Sequence, residues 1–336
     1  MPVDKSFQLL VCLLRLALNE DAVSCVTSMT PSTDDWCGVY HHAVRHAVIA
    51  HAWDGVERLQ SKAPEALKNL PADLLGMWFA DVQTIEVANV RMSKQAARVQ
   101  AFLQAGNFSS CVLKGQSLAV YYPKPAHRQA ADIDIWVLTR PDVPVIEHRN
   151  SLLAYLRQSN VAVGEIVYHH IATMMEGTEV ELHVTPTWLY NPCYNRRLQQ
   201  LFARREGLTP QLQELYCLLH AFRHIYHDGL SLRHVLDYWL VCRSNRASGI
   251  SAPDTAYGQL GLLAFVDTMD ELTDFLFLRT DTPQSCRLSR RTNHLLAILS
   301  SRKVSAIVKA DYLSETLFAL PWRTIHHIWR RRLNKA

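Results

Sequence analysis

The chain has no C-x-x-C pair, no internal repeat, no low-complexity tract and no long apolar run. Its eight cysteines, Cys12, Cys25, Cys37, Cys111, Cys193, Cys217, Cys242 and Cys286, follow no regular spacing. They read as reduced, mostly buried thiols of a cytoplasmic protein. Glycine and proline are modest, 12 and 14 of 336 residues, and 49% of the chain is hydrophobic, which excludes a disordered polypeptide. Charge of one sign is also scarce: 35 Lys and Arg stand against 31 Asp and Glu. The small basic excess gathers late, in "WRTIHHIWRRRLNKA". A nucleic-acid binder carries more, spread over one face, so no sequence-specific nucleic-acid partner is expected. The most apolar stretch, "FQLLVCLLRLAL", follows Asp4 and is interrupted by Arg15. It is too short to span a bilayer and no small-residue cleavage site follows, so it reads as a buried amphipathic helix, with no transmembrane segment.

What is present is a change of period. Up to residue 106 the apolar spacing is helical, in "FQLLVCLLRLAL", "YHHAVRHAVIAHAWDGVERL" and "LLGMWFADVQTIEVANVRMSKQAARVQAFLQAG", and Gly106-Asn107 is a helix stop. From Ser110 strands take over: "CVLKG", "ADIDIWVL", then "GEIVYHHIATMM" and "TEVELHVTP" joined through "EGT", with a helix in "PDVPVIEHRNSLLAYLRQSN". Beyond Thr187 the helical period returns, with "LQELYCLLHAFRHIYHDGLSLRHVLDYWLVCRS" forming two helices broken at Asp228-Gly229. The reading is an α+β chain in which a small mixed sheet, residues 107–187, lies between helical units at 1–106 and 188–336.

The unusual chemistry sits in the middle unit. Side chains alternate faces along a strand, so Asp132 and Asp134 in "RQAADIDIWV" point the same way and repel unless a cation lies between them. Glu181 in "VELHV" is a third carboxylate on a later strand. Carboxylates clustered on neighbouring strands are what Mg²⁺ takes when it also holds phosphates. In a two-metal site Asp132 and Asp134 bridge both ions, and Glu181 holds the one that activates the attacking hydroxyl. "LKG", Leu113 to Gly115, ends an earlier strand just before a helix, where backbone N–H groups can meet a triphosphate.

The order of strand, glycine turn, helix, "DID" strand and later carboxylate resembles the polymerase-β-like nucleotidyltransferase superfamily. More closely, "VLKGQSLAVYYPKPAHRQAADIDIWV", "VELHVTPTWLYNP" and "HAFRHIYHDGLSLRHVLDYWL" are similar to three blocks of the bacterial family of uncharacterised nucleotidyltransferases. The resemblance spans roughly Val90 to Leu240. It implies transfer of a nucleoside monophosphate from an NTP such as ATP to an unidentified acceptor, in surface-polysaccharide or peptide modification. It implies Asp132, Asp134 and Glu181 as catalytic metal ligands, and Lys114, Gly115, Gln116, Ser117 and Arg128 as nucleotide-side or loop-ordering positions. No organic cofactor is implied. Gln116 stands where the wider superfamily has Gly or Ser, and the gap from there to Asp132 is longer than the general pattern. Ala131 stands where close relatives have Gly.

Blander readings stand beside these. Lys114 can snorkel from a strand end, and Arg128 can pair with one of the aspartates in a metal-free site. His183 shares a strand face with Glu181 and reads as a second partner, a general base or a backbone-bonded imidazole. His220, His224 and His227 share a helical face, but no glutamate follows the first in the metalloprotease manner. Arg233 and Asp237, at i and i+4, read as an ion pair. Two other functions fit: a non-catalytic nucleotide-binding partner or regulator of a biosynthetic cluster, and a helical adaptor using the apolar N-terminal helix and basic C-terminus.

Overall fold

The N-terminal periodicity becomes five helices, α1 (Lys5–Ala17), α2 (Val23–Met29), α3 (Thr33–Arg45), α4 (Ile49–Lys62) and α5 (Ala72–Ala105). The computed structural model describes residues 4–18, 22–139, 143–203, 206–226, 229–278 and 287–301; the basic C-terminal stretch, His227, Asp228 and Cys286 lie outside them. Ser32 starts α3 through a reciprocal cap, its hydroxyl accepting from the Asp35 N–H while the Asp35 carboxylate accepts from the Ser32 N–H. The run from Tyr40 to Leu59, read as one helix, is two, because the chain turns at Ala47 with φ +54. The apolar spacing hides the break since α3 and α4 both pack on α1.

Cys12 and Cys25, expected as free thiols, are joined in a disulfide where α1 and α2 meet, with Cα atoms 6.4 Å apart. Cys37, Cys111, Cys193, Cys217 and Cys242 are free. Arg15, the charge that interrupts the first apolar run, is buried and donates to the carbonyls of Phe275 and Leu276 at 2.7 and 2.6 Å. A buried guanidinium needs such acceptors, and these tie the first helix to the far end of the chain.

The middle of the chain contributes β1 (Ser110–Val112), α6 (Gln116–Ala119), β2 (Ile133–Val137), α7 (Val145–Gln158), β3 (Val163–Ile166), β4 (His170–Met175) and β5 (Thr178–His183). The strands form one sheet in the order β1-β2-β5-β4-β3, parallel between β2 and β5 and antiparallel elsewhere. The stretch "GEIVYHHIATMM", read as one strand, is β3 and β4 with a turn at Val167–His169. The β4–β5 turn uses Glu176 and Gly177 at φ +49 and +74, both left-handed as a tight hairpin asks. The long gap before Asp132 is filled by α6 and a 3-10 turn, Pro125–His127.

The helical period then returns in α8 (Pro192–Phe202), α9 (Pro210–Tyr226), α10 (Leu232–Ala247), α11 (Asp254–Gln259), α12 (Leu263–Thr273), a π-turn at Asp274–Leu278 and α13 (Arg290–Ser301). None of the described helices is long and apolar enough to cross a membrane.

Two cores result. Ile133, Ile135 and Val137 on β2, Val180 and Leu182 on β5 and Ile171 on β4 point to one face of the sheet, against Leu152 and Leu156 of α7 and Met92, Ala96, Val99 and Leu103 of α5. The second core joins the N-terminal helices to α9, α10 and α12 and takes in Leu74, Trp78, Val82 and Ile85 of α5. One long helix therefore serves both. Because the strand period is two, fixing the apolar face fixes the other, and Asp134, Glu181, His183 and His170 must share it.

A polar network fastens the segment before Asp132 to the N-terminal helices. His127 lies between Asp54 and Glu86, 2.9 Å from each, and Lys124 reaches Asp54 at 2.7 Å. Burial opposes a charged imidazole at His127, but the bond to Asp54 outweighs it and raises its pKa. Burial likewise opposes the Asp54 carboxylate, yet His127 and Lys124, with His51 3.7 Å away, hold its pKa well below the usual range. The His127 contribution is full below its unfolded pKa, about 6.5, and is lost as pH rises through the raised folded value. The Asp54 contribution is full above about 4 and is lost as pH falls through its depressed value. The melting temperature is expected to decline on the alkaline side of pH 6.5, and His127→Gln to flatten that decline in a pH series of thermal melts.

Candidate active site

The polar face of the sheet opens into a cleft of about 370 Å³ lined by Lys114, Asp132, Asp134, His170, Glu181 and His183 from the sheet side. Asp134 and Glu181 are register partners across the parallel β2–β5 pair, so their carboxylates lie side by side, and Asp132, just before β2, lines the same cleft. The three residues that the sequence singled out are thus brought together.

Asp134 is 1% exposed, and a carboxylate that deep needs compensation. Lys114 supplies part of it, its Nζ 3.1 Å from Asp134 and 3.3 Å from Asp132. His183 supplies the rest, its Nε2 3.0 Å from Asp134 and 3.3 Å from Glu181. Burial works against ionisation of Asp134, but the Lys114 charge and the His183 bond hold its pKa well below the carboxylate range. The same contacts overcome burial to raise the pKa of Lys114, chiefly through Asp134, and of His183. Desolvation, with the neighbouring His183, pushes the half-buried His170 down to about 4. His183 thus contacts both carboxylates through Nε2, while its buried Nδ1 has no hydrogen-bond partner among the described residues.

Asp134 Oδ2 is buried and, although close to Lys114, accepts no well-formed hydrogen bond. Ligand atoms of Asp134, Glu181 and His183 lie within 4.8 Å of one another, and Asp132 lines the same cleft, so the donors present here, two carboxylates and an imidazole with a third carboxylate nearby, fit a divalent cation.

Gly115 follows Lys114 at φ +70 and ψ −111 and opens α6. Two supports fix this turn: the Gln213 side chain donates to the Leu113 carbonyl and Arg128 to the Gly115 carbonyl. A Cβ on Gly115 finds its nearest neighbours at 3.8 Å, so space is not the constraint. Backbone conformation is, and Gly115→Ala is expected to cost about 1–3 kcal/mol in urea unfolding. The Gln116 amide and Ser117 hydroxyl behind it are buried and make no hydrogen bond among the described residues.

Arg128 lies outside the cleft. Its Nε and Nη2 donate to the two oxygens of Asp237 on α10, both at 2.7 Å, and Tyr122 adds a hydroxyl bond to Asp237 at 2.8 Å. Asp237 therefore pairs with Arg128 rather than with Arg233, whose Nη1 donates to the Gln129 carbonyl. Local i, i+4 spacing gave way to a long-range partner because Asp237 faces the core.

The opposite wall of the cleft is α9, through Tyr216, His220, Arg223 and His224. Sequence reasoning missed Arg223, Tyr216 and His169. For the two on α9 the available signal was a polar stripe at i, i+4, i+7 and i+8 on a helix whose remaining positions after Glu214 are apolar.

A family model described as uncharacterised nucleotidyltransferase matches residues 32–267. The chain belongs to that family. The match runs from the cap of α3 into α12 and contains the sheet, the carboxylates and the α9 wall. The nucleotidyltransferase is thereby a transferase that uses an NTP, and its helices surround one five-stranded mixed sheet. No curated protein and no solved structure matches it.

Proposed function

We propose that this nucleotidyltransferase uses Mg²⁺ held by Asp132, Asp134 and Glu181 to move a nucleoside monophosphate from an NTP to an acceptor oxygen. The observation that carries the reading is the β2–β5 register, which sets Glu181 beside Asp134 in a cleft that Asp132 also lines. Bound there, magnesium supplies charge neutralisation for the phosphates and lowers the pKa of a coordinated hydroxyl.

The chain's own residues do the rest. Lys114 neutralises the carboxylates in the absence of metal and is a charge within reach of phosphate oxygens once they are otherwise engaged. The Gly115 turn lets the backbone approach the phosphates closely. Arg128 orders this loop from behind through the Gly115 carbonyl. The acceptor oxygen attacks the α-phosphorus and gives its proton to solvent, while the bond from the α-phosphorus to the bridging oxygen breaks to release pyrophosphate.

The test is incubation of each α-labelled NTP with Mg²⁺ and a cell extract. Label in a new covalent product, matched by pyrophosphate, is expected for one or more nucleotides. Pyrophosphate release that the Asp134→Asn variant matches would contradict the assignment.

A further inference from the structure

Arg223 is a cation with an unusual setting. Its Nε is buried without a hydrogen-bond partner, its Nη1 reaches only the Thr187 hydroxyl at 3.4 Å, and the guanidinium lies 4.5 Å over the Trp188 ring. Among the described residues no carboxylate stands within ion-pair distance of it, and burial pulls its pKa down to about 10. Beside it on the cleft wall is His220. His234 of α10 packs behind, its ring centroid 4.9 Å from that of His220 and 4.1 Å from that of His224.

Ring nitrogens of His220, His224 and His234 lie within 4.8 Å of one another, a grouping that could take a transition metal. The surrounding charges argue for the opposite ligand. Burial first, then Lys114 among others, lowers the proton affinity of His220, and burial, His224, Arg233 and Lys114 lower that of His234. A dication would meet those same positive groups at close range in a poorly screened site. An anion is attracted by them, and a neutral imidazole can still donate its N–H to it. Arginine's fork suits phosphate oxygens in particular.

We propose that Arg223 and His220 form a phosphate-binding subsite on the α9 wall, across the cleft from the three carboxylates. His234 is a positioning residue that fixes the His220 and His224 rings. The subsite rests on the nucleotidyl-transfer reading only for the source of its phosphate, which is either the polyphosphate tail of the donor or a phosphorylated acceptor.

The experiment is calorimetric titration of inorganic pyrophosphate and orthophosphate into the full chain in EDTA. Wild type is expected to bind, Arg223→Gln to bind about tenfold or more weakly, and Arg223→Lys to recover part of the loss. Imidazole NMR of the wild type gives a second readout independent of any variant, and the His220 ring signals are expected to shift on adding pyrophosphate. Displacement of orthophosphate by the NTP that binds supports the donor tail; simultaneous Arg223-dependent binding supports a phosphorylated acceptor. Phosphate affinity in Arg223→Gln within about twofold of wild type, or unmoved His220 signals, overturns the proposal. So does a cobalt absorption band that His234→Gln abolishes. Arg223-dependent pyrophosphate binding in a protein that turns over no NTP keeps the subsite and removes the nucleotidyl-transfer reading instead.

Discussion

Asp132→Asn is expected to lower nucleotidyl transfer by about a thousandfold or more while leaving the fold intact, because phosphoryl transfer depends on positioning and charge neutralisation rather than on covalent chemistry by the protein. Asp132 is partly exposed and its contact to Lys114 is the longer of the two, so its charge is the cheapest of the three carboxylates to remove. Asp134→Asn is expected to be as inactive but also to lower the melting temperature, since Lys114 and His183 both lose their buried counter-ion. Activity with the α-labelled nucleotide and the circular-dichroism melt separate the two effects. Full activity in either variant contradicts the metal assignment.

The second large effect concerns stability. Asp237→Ala is expected to cost about 3–5 kcal/mol in urea denaturation, because it strands the Arg128 guanidinium in the interior. Arg128 is 4% exposed and has only the Gly115 carbonyl left to satisfy it. The substitution also loosens the Gly115 turn, so nucleotide affinity should fall with stability. Replacing both partners, Arg128→Met with Asp237→Leu, is expected to recover most of the stability but not the affinity, since an apolar pair fills the space without bonding Gly115. A loss below about 1 kcal/mol for Asp237→Ala would show that the pair is hydrated and not the strut described here.

What the chain reveals by inspection follows from the range of the interactions. The helical period before Gly106 and after Thr187 and the alternation along Ile133–Val137 are local patterns, and among the described residues they appear as helices and a strand. The apolar partners of "IDIWV" are visible as a period of two, so the common face of the two aspartates could be read directly. Glu181 could be named as a carboxylate on a later strand, but its place beside Asp134 depends on the parallel β2–β5 register, and no local pattern encodes that. Two helix and strand boundaries were hidden for another reason. Apolar spacing continues through Ala47 because α3 and α4 both pack on α1, and across Val167–His169 because Ile166 and Ile171 on either side of the turn belong to the same core. Arg128 and Asp237 are 109 residues apart, and Arg223 takes its meaning from the carboxylates across the cleft. The tertiary partners of such side chains are not encoded in any local spacing. The zinc-like histidine set is the clearest instance: His220 and His224 gain a third ring from His234 on the next helix, while His227 lies outside the described residues.

The cation question raised by the two aspartates has a partial answer in the protein itself. Lys114 stands between them, and His183 bridges the second to Glu181. A site neutralised in this way stays folded without metal, and its acidic oxygens remain grouped for a dication to replace the ammonium. Nucleotide binding is therefore expected to require metal held through these carboxylates. The direct test is calorimetric titration of ATP, GTP, CTP and UTP, with and without Mg²⁺, into wild type and the Asp132→Asn, Asp134→Asn double variant. The expected result is Mg²⁺-dependent binding of at least one nucleotide that disappears in the variant. Binding of the same strength in the double variant, or no binding to the wild type, would contradict it.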